Sequence, residues 1–199
     1  LAMVAALDDA IGQVRAALEE KGLSRNTIVF FQSDNGATHE VRADHRGRPY
    51  QGGSNKPYRA WKGSLFEGGM RVPAILAWPG RISPRVENTT LAAMDLMPSL
   101  LRIAGAPVPD DIDGVDLSAH VLKNARLADR TLFWEYNGQT AARSGDWKLV
   151  VNHSEGLESP LVKETWLSNL ATDPGESKNF AAKKPEVVAR LADAIATWR

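Results

Sequence analysis

Thr27 to Ser33 reads TIVFFQS, a near-continuous apolar run rich in β-branched and aromatic side chains, and it stops abruptly at Asp34-Asn35-Gly36. A strand with no polar face has to be covered on both sides, which is the situation of a parallel sheet with helices packed on it. Ala74 to Trp78 (AILAW), closed by Pro79-Gly80, repeats the pattern and predicts a second buried strand. Ahead of the first run, Met3 or Val4, Leu7, Ile11, Val14 and Leu18 recur at steps of three and four. That stripe predicts an amphipathic helix, with Gly22 as its C-cap. The stripe is already under way at Leu1, with no Met and no capping residue before it, so the chain is expected to be a fragment of something longer.

Beyond these elements the pattern changes twice. Residues 37 to 60 hold no periodic apolar signal and are rich in Gly, Arg, His and Asn, which predicts a long loop. Loops of that length in compact domains are usually functional or disordered. Leu91 to Ile103 predicts a helix ended by Gly105, with Pro98 tolerated if the helix proper begins near Asp95. Pro107 to Gly114 is a turn-rich connector. From residue 131 onward, 131–136, 140–143, 147–152 and 165–170 read as short strands. Asn137-Gly138 and Ser144-Gly145-Asp146 are hairpin turns between them. Pro185 to Trp198 closes the chain as a helix with Val188, Leu191, Ile195 and Trp198 on one face. The expected class is α/β, followed by a small antiparallel sheet with a terminal helix, divided into 1–125 and 126–199.

Composition narrows the function classes. Apolar residues make up 43% and charged residues 24%, which are globular values. No apolar run approaches the roughly 18 residues a membrane span needs, and no signal-peptide pattern opens the chain. Lys and Arg number 24, as do Asp and Glu, so a dedicated nucleic-acid binder is not expected. Cysteine is absent, which excludes disulfides, thiolate metal sites and a cysteine nucleophile within these residues.

Two places could carry chemistry. Asp34 and Asn35 follow directly on a strand, where ligands of open α/β sheets collect, and they offer the oxygen donors that hard cations such as Ca²⁺ or Mg²⁺ prefer. An Asn-Gly turn with a capping Asp is the plain alternative. Lys62, in WKGSLFEGGMRVP, offers a compact positive charge for an anionic group or a leaving oxygen, or is a solvated surface amine. Glu67 and Arg71 are read as an ion pair holding this turn. Residues 42 to 71 carry seven Lys and Arg against two acids, a bias that can steer anions. His39 and His45 lie in or beside that stretch as candidates for ligation, proton transfer or substrate contact.

Taken together, TIVFFQSDNG at 27–36, Asn55-Lys-Pro-Tyr-Arg59 and KGSLFEGGMRVP at 62–73 resemble the type I sulfatase family. MDLMPSLL at 94–101 with Asp113-Gly114, RSGDWKLV at 143–150 and LATDPGESKNF at 170–180 extend the resemblance over the whole chain. It implies the C-terminal portion of an alkaline-phosphatase-like sandwich: the last part of the catalytic α/β domain to residue 125, then a small antiparallel sheet and helix subdomain. It also implies that Asp34 and Asn35 ligate Ca²⁺ and that Lys62 contacts the sulfate ester. His39, His45 and Arg48 are expected to line the substrate mouth. Hydrolysis in this family uses a formylglycine made from Cys or Ser in a C/S-x-P/A-x-R motif. That motif is missing here, as are the paired Asp ligands that lie near the N-terminus in the family and the active-site His and Lys between. The chain alone is therefore expected to be inactive, a sulfatase fragment lacking its nucleophile.

The partners implied are a sulfated small molecule or glycan, with no nucleic acid and no membrane. Exposed sheet edges would favour self-association or the missing N-terminal half. The sequence does not fix a compartment; the family suggests export. Two alternatives stay open. One is a phosphate or phosphonate monoester hydrolase of the same superfamily, against which Asn35, where His would otherwise stand, leans. The other is a non-catalytic carbohydrate-binding relative, for which Trp134, Trp147, Trp166 and Trp198 would have to be surface rather than core residues.

Overall fold

A computed structural model describes residues 2–43, 46–47, 49–50 and 52–199. They form two interleaved compact units, one of residues 1–31 and 75–128 and the other of 32–74 and 129–199.

The first unit opens with helix α1 (Ala2–Glu20), whose apolar stripe is the one its spacing predicts, followed by Gly22 at φ 68°. Strands β1 (Val29–Gln32) and β4 (Ala74–Ala77) pair with each other. Neither is buried as the sequence suggested: Phe30 is 37% and Ile75 62% exposed. Among the described residues each strand has a single hydrogen-bonded neighbour and no fully buried residue, and α1 has no buried residue either. Helix α3 (Leu96–Ile103) starts after a 3-10 turn at Ala93–Asp95. The buried Asp95 carboxylate accepts from the Ala92 and Val115 amides at 2.9 and 3.0 Å, joining the helix start to the connector beyond Gly114. Ser99 extends this link by accepting the Leu117 amide at 2.8 Å, ahead of α4 (Ser118–Lys123).

In the second unit the loop between β1 and β4 contains a two-residue antiparallel pair, β2 (Arg42–Ala43) with β3 (Pro49–Tyr50), and a single helical turn, α2 (Glu67–Met70). Four antiparallel strands follow in simple meander order: β5 (Thr131–Tyr136), β6 (Gln139–Ser144), β7 (Trp147–His153) and β8 (Val162–Asn169). The Asn137-Gly138 hairpin has both residues at positive φ, 47° and 78°, as a tight primed turn requires.

Register decides what each face of this sheet does. The rung Phe133–Ala142–Leu149–Leu167 packs on α5 (Pro185–Trp198) through Leu191 and Ile195. Side chains alternate across a strand, so the neighbouring rungs face the other way. Trp134–Ala141–Val150–Trp166 receives Leu65 and Phe66 from the loop, and Leu132–Arg143–Lys148–Ser168 lies beside it. The sheet is thus the middle layer between α5 and the 60–70 segment. Its tryptophans serve this packing. Trp147 meets Phe180 edge to face, Trp166 meets Phe66 in the same way, and Trp198 stacks on Phe133 at 5.2 Å.

Candidate functional site

The turn after β1 and the segment around Lys62 are fastened backbone to backbone. The Lys62 amide donates to the Ala37 carbonyl at 3.0 Å, and the Gly36 amide to the Gly69 carbonyl at 3.0 Å. Such closeness needs bare backbone: a Cβ on Gly36 would lie 1.8 Å from the Gly68 carbonyl oxygen. Asn55 completes the junction. Its side-chain oxygen accepts the Ala37 amide at 2.7 Å, and its nitrogen donates to the Ala37 and Ala60 carbonyls at 3.1 and 3.0 Å. Ala60 itself sits at φ 70°, a conformation costly for a residue with a Cβ. Within the turn, Asp34 Oδ1 accepts the Asn35 amide at 3.0 Å, and the Ser33 hydroxyl donates to the Asn35 carbonyl at 3.0 Å.

Further along the same segment, Glu67 anchors a buried ion cluster. Glu67, 3% exposed, accepts from Lys148 Nζ at 2.9 Å, with Arg143 and Arg71 at 3.4 and 3.6 Å from its other oxygen. Lys148 is fully buried, and Glu176 lies 3.5 Å beyond it. Glu176 also accepts the Glu67 amide and the Ser168 hydroxyl. Burial raises the Glu67 carboxyl, but Lys148, Arg143 and Arg71 together hold it below the ordinary glutamate value. At Glu176 burial prevails over Lys148 and pushes the carboxyl up, with the Glu67 charge adding to the rise. Phe66 and Glu67, adjacent in sequence, therefore plug the apolar rung and the polar rung of one sheet face.

His39 reaches the same junction, its ring 6.1 Å from that of Trp61 and packed against Gly156. His45 and Arg48 lie outside the described residues. The structure thus brings together Asp34, Asn35, Lys62 and His39 in one unit, and the Glu67–Arg71 pair is present. Sequence reasoning did not find Asn55 as the clamp, nor Lys148 and Glu176 under Glu67. A lysine within WKLVV, a strand otherwise apolar around it, was the available signal for Lys148.

As a metal site the donors are of the right kind and too few. Asp34 and Asn35 supply hard oxygens, against the six to eight that calcium takes. Among the described residues no group of three or more acidic or histidine side chains stands ready to hold a metal.

Comparison with known proteins identifies the whole. The sulfatase family model matches residues 1–106, and the model for the C-terminal region of N-sulphoglucosamine sulphohydrolase matches residues 60–199. The chain belongs to the sulfatase family. Arylsulfatase A of Bos taurus is 34% identical over 95% of this chain and 40% of its own length. N-acetylgalactosamine-6-sulfatase of Mus musculus is 42% identical over 71% of this chain and 27% of its own. Among solved structures, PsFucS1 sulfatase from Pseudoalteromonas sp. superimposes with TM-score 0.77 at 30% identity, covering 96% of this chain and 41% of that one. A Bacteroides thetaiotaomicron protein described with the metabolism of multiple glycosaminoglycans gives 0.79 at 26% identity, covering 96% of this chain and 42% of that one. This sulfatase chain spans about 40% of the length of arylsulfatase A, and the mixed helix and sheet architecture is that of sulfatases. No helix among the described residues is long and apolar enough to cross a membrane.

Proposed function

We propose that these residues contribute Asp34, Asn35 and Lys62 to the site of an enzyme that hydrolyses sulfate monoesters, on carbohydrates or aryl alcohols. The observation that carries this is the hydrogen bond from the Lys62 amide to the Ala37 carbonyl. It ties the lysine of the glycine-rich segment to the turn bearing the two oxygen donors. A sulfate monoester is an anion whose negative charge shifts toward the leaving oxygen as the S–O bond breaks. The Lys62 ammonium offsets that charge, most strongly once water is excluded. Asp34 and Asn35 would hold a calcium ion as two of its ligands, and that ion would supply further neutralisation of the sulfate oxygens. The formylglycine nucleophile and the other calcium ligands have to come from outside these residues. Arg46 and its basic neighbours suit a substrate with additional anionic groups, as on a sulfated glycan. Export is the localisation that membership of this family favours.

The test is an aryl sulfate assay, with the aryl phosphate as control, on a sulfatase of full family length that carries these residues. Lys62→Ala should lower kcat/KM by at least about 100-fold. Asp34→Ala should do the same and weaken calcium binding measured by calorimetry. Unchanged sulfate turnover in Lys62→Ala would end this reading, and a preference for the phosphate ester would replace it with a phosphohydrolase. The 199 residues alone should neither turn over the ester nor bind calcium tightly.

A further inference from the structure

The lysine's backbone is gripped from a second side, by the loop that follows β7. The Leu157 amide donates to the Lys62 carbonyl at 3.0 Å, and the Trp61 amide donates to the Glu155 carbonyl at 3.1 Å. These two bonds form a short bridge between 61–62 and 155–157. Since the Lys62 amide is already committed to Ala37, both polar groups of this residue's backbone are fixed, one toward the Asp34–Asn35 turn and one toward the sheet.

Side chains hold the bridge in place. Arg59 Nε donates to Glu155 Oε1 at 2.9 Å, while its guanidinium lies 3.9 Å from the Phe66 ring centre and 4.0 Å from that of Trp166. Gln139, 1% exposed, uses both ends of its amide. Its oxygen accepts the Ser154 amide at 3.0 Å and the Leu65 amide at 3.3 Å, and its nitrogen donates to the Gly63 carbonyl at 2.8 Å. The Ser154 hydroxyl donates to the Gly156 carbonyl at 2.9 Å and rounds off the loop. Gly156 is the point of closest approach: a Cβ there would stand 2.5 Å from His39 Cε1, 2.7 Å from its Nδ1 and 3.4 Å from the Trp61 Cβ. A side chain there would meet the His39 ring, so either that ring or the 155–157 loop has to move, and a moving loop carries the Leu157 amide away from Lys62.

From this geometry we infer that Glu155 and Gly156 are positioning residues for Lys62, so that the C-terminal sheet sets where the lysine stands relative to the Asp34–Asn35 turn. The inference rests on the proposed role of Lys62. A shift of about 1 Å in a charge-stabilising group is enough to cost on the order of 100-fold in rate, so a loop that touches no substrate can govern turnover through this bridge.

The test combines Gly156→Ala and Glu155→Gln with Lys62→Ala in a sulfatase of full family length carrying these residues, assayed on an aryl sulfate. Gly156→Ala should lower kcat/KM by about 10-fold or more, and Glu155→Gln by about threefold. Each effect should disappear in the Lys62→Ala background, because groups acting through one residue are non-additive. Amide exchange at Leu157 should accelerate in both loop variants. Glu155 is half exposed, so Glu155→Gln carries the test if Gly156→Ala does not fold. Accelerated exchange with wild-type activity overturns the inference, as does a loss of equal factor in the two backgrounds, which is the mark of a general structural effect. If Lys62→Ala itself keeps full activity, the role of Lys62 falls first, and that outcome is read directly from the single variant.

Discussion

At the scale of single residues, the junction depends on atoms that are absent. A Cβ on Gly68 would stand 2.3 Å from the Arg59 carbonyl oxygen and 2.4 Å from that of Ala60. Both are backbone atoms, so no rotamer change relieves the overlap, and Gly36 presses on Gly68 from the other side. Gly68→Ala should therefore cost about 3 kcal/mol or more, in the range of severe backbone and packing defects. Urea unfolding followed by tryptophan fluorescence measures it, and a loss below about 1 kcal/mol, the typical effect of a point substitution, would show that the 59–69 segment can relax. The glycines, Asp34, Asn35 and Lys62 were legible in the sequence because they stand in contiguous motifs. Asn55, Glu155 and Glu176 were not assigned roles, because their partners lie 18, 96 and 109 residues away along the chain. Nothing local distinguishes such a side chain from a solvated one.

At the scale of elements, α2 and the sheet are joined by Glu67, Lys148 and Glu176. Removing one member of a buried ion cluster strands the others, and such a loss costs about 3 to 5 kcal/mol. Lys148→Met should fall in that range at neutral pH, with part of the loss recovered by adding Glu176→Gln. The two carboxyls pull stability in opposite directions with pH. Glu67 is held below its ordinary value of 4.5, so the unfolded chain binds its proton more readily. Its contribution is present above that value and is lost as pH falls through the lower, folded one. Glu176 is raised above 4.5, so the folded chain binds its proton more readily. Its contribution is full at acid pH and is lost as pH rises through the raised value. Denaturation across a pH series should show Glu67→Gln flattening the loss of stability on the acid side and Glu176→Gln flattening the decline in stability as pH rises beyond 4.5. An identical profile in all three proteins would mean that the cluster does not titrate.

The strands and turns of this sheet were readable, since period-two alternation and Asn-Gly turns are local signals. That its second face is covered by the Leu65–Glu67 loop was not, because a loop packing onto a sheet carries no period of its own. The expected division at 125/126 followed a change of pattern along the chain. The membership of 32–74 in the second unit is a property of contacts that such a change cannot reveal.

At the scale of the whole molecule, the two units differ in how well they satisfy their own apolar surface. The second buries Leu65, Phe66, Ala141, Ala142, Leu149, Val150, Leu167, Leu191 and Ile195 in two clusters on either side of its sheet. The first leaves the stripe of α1 in solvent, with Met3 72%, Val4 67% and Val14 59% exposed, and it leaves β1 and β4 with open edges. A buried aliphatic side chain gains roughly 1.5–3 kcal/mol over an exposed one, and an open strand edge is a template for another chain. A stripe and edges of this kind gain from any apolar partner laid over them. Without that cover, the 199 residues should self-associate. Sedimentation velocity should show concentration-dependent oligomers, with fast amide exchange across α1, β1 and β4 and slow exchange in β6 and β7. Leu7→Glu with Val14→Glu, which places charge on the α1 stripe, should shift the protein toward monomer while leaving exchange in the sheet unchanged. A sharp monomer at all concentrations, with α1 protected, would show instead that the first unit closes on itself and that its apolar stripe has a partner within the chain.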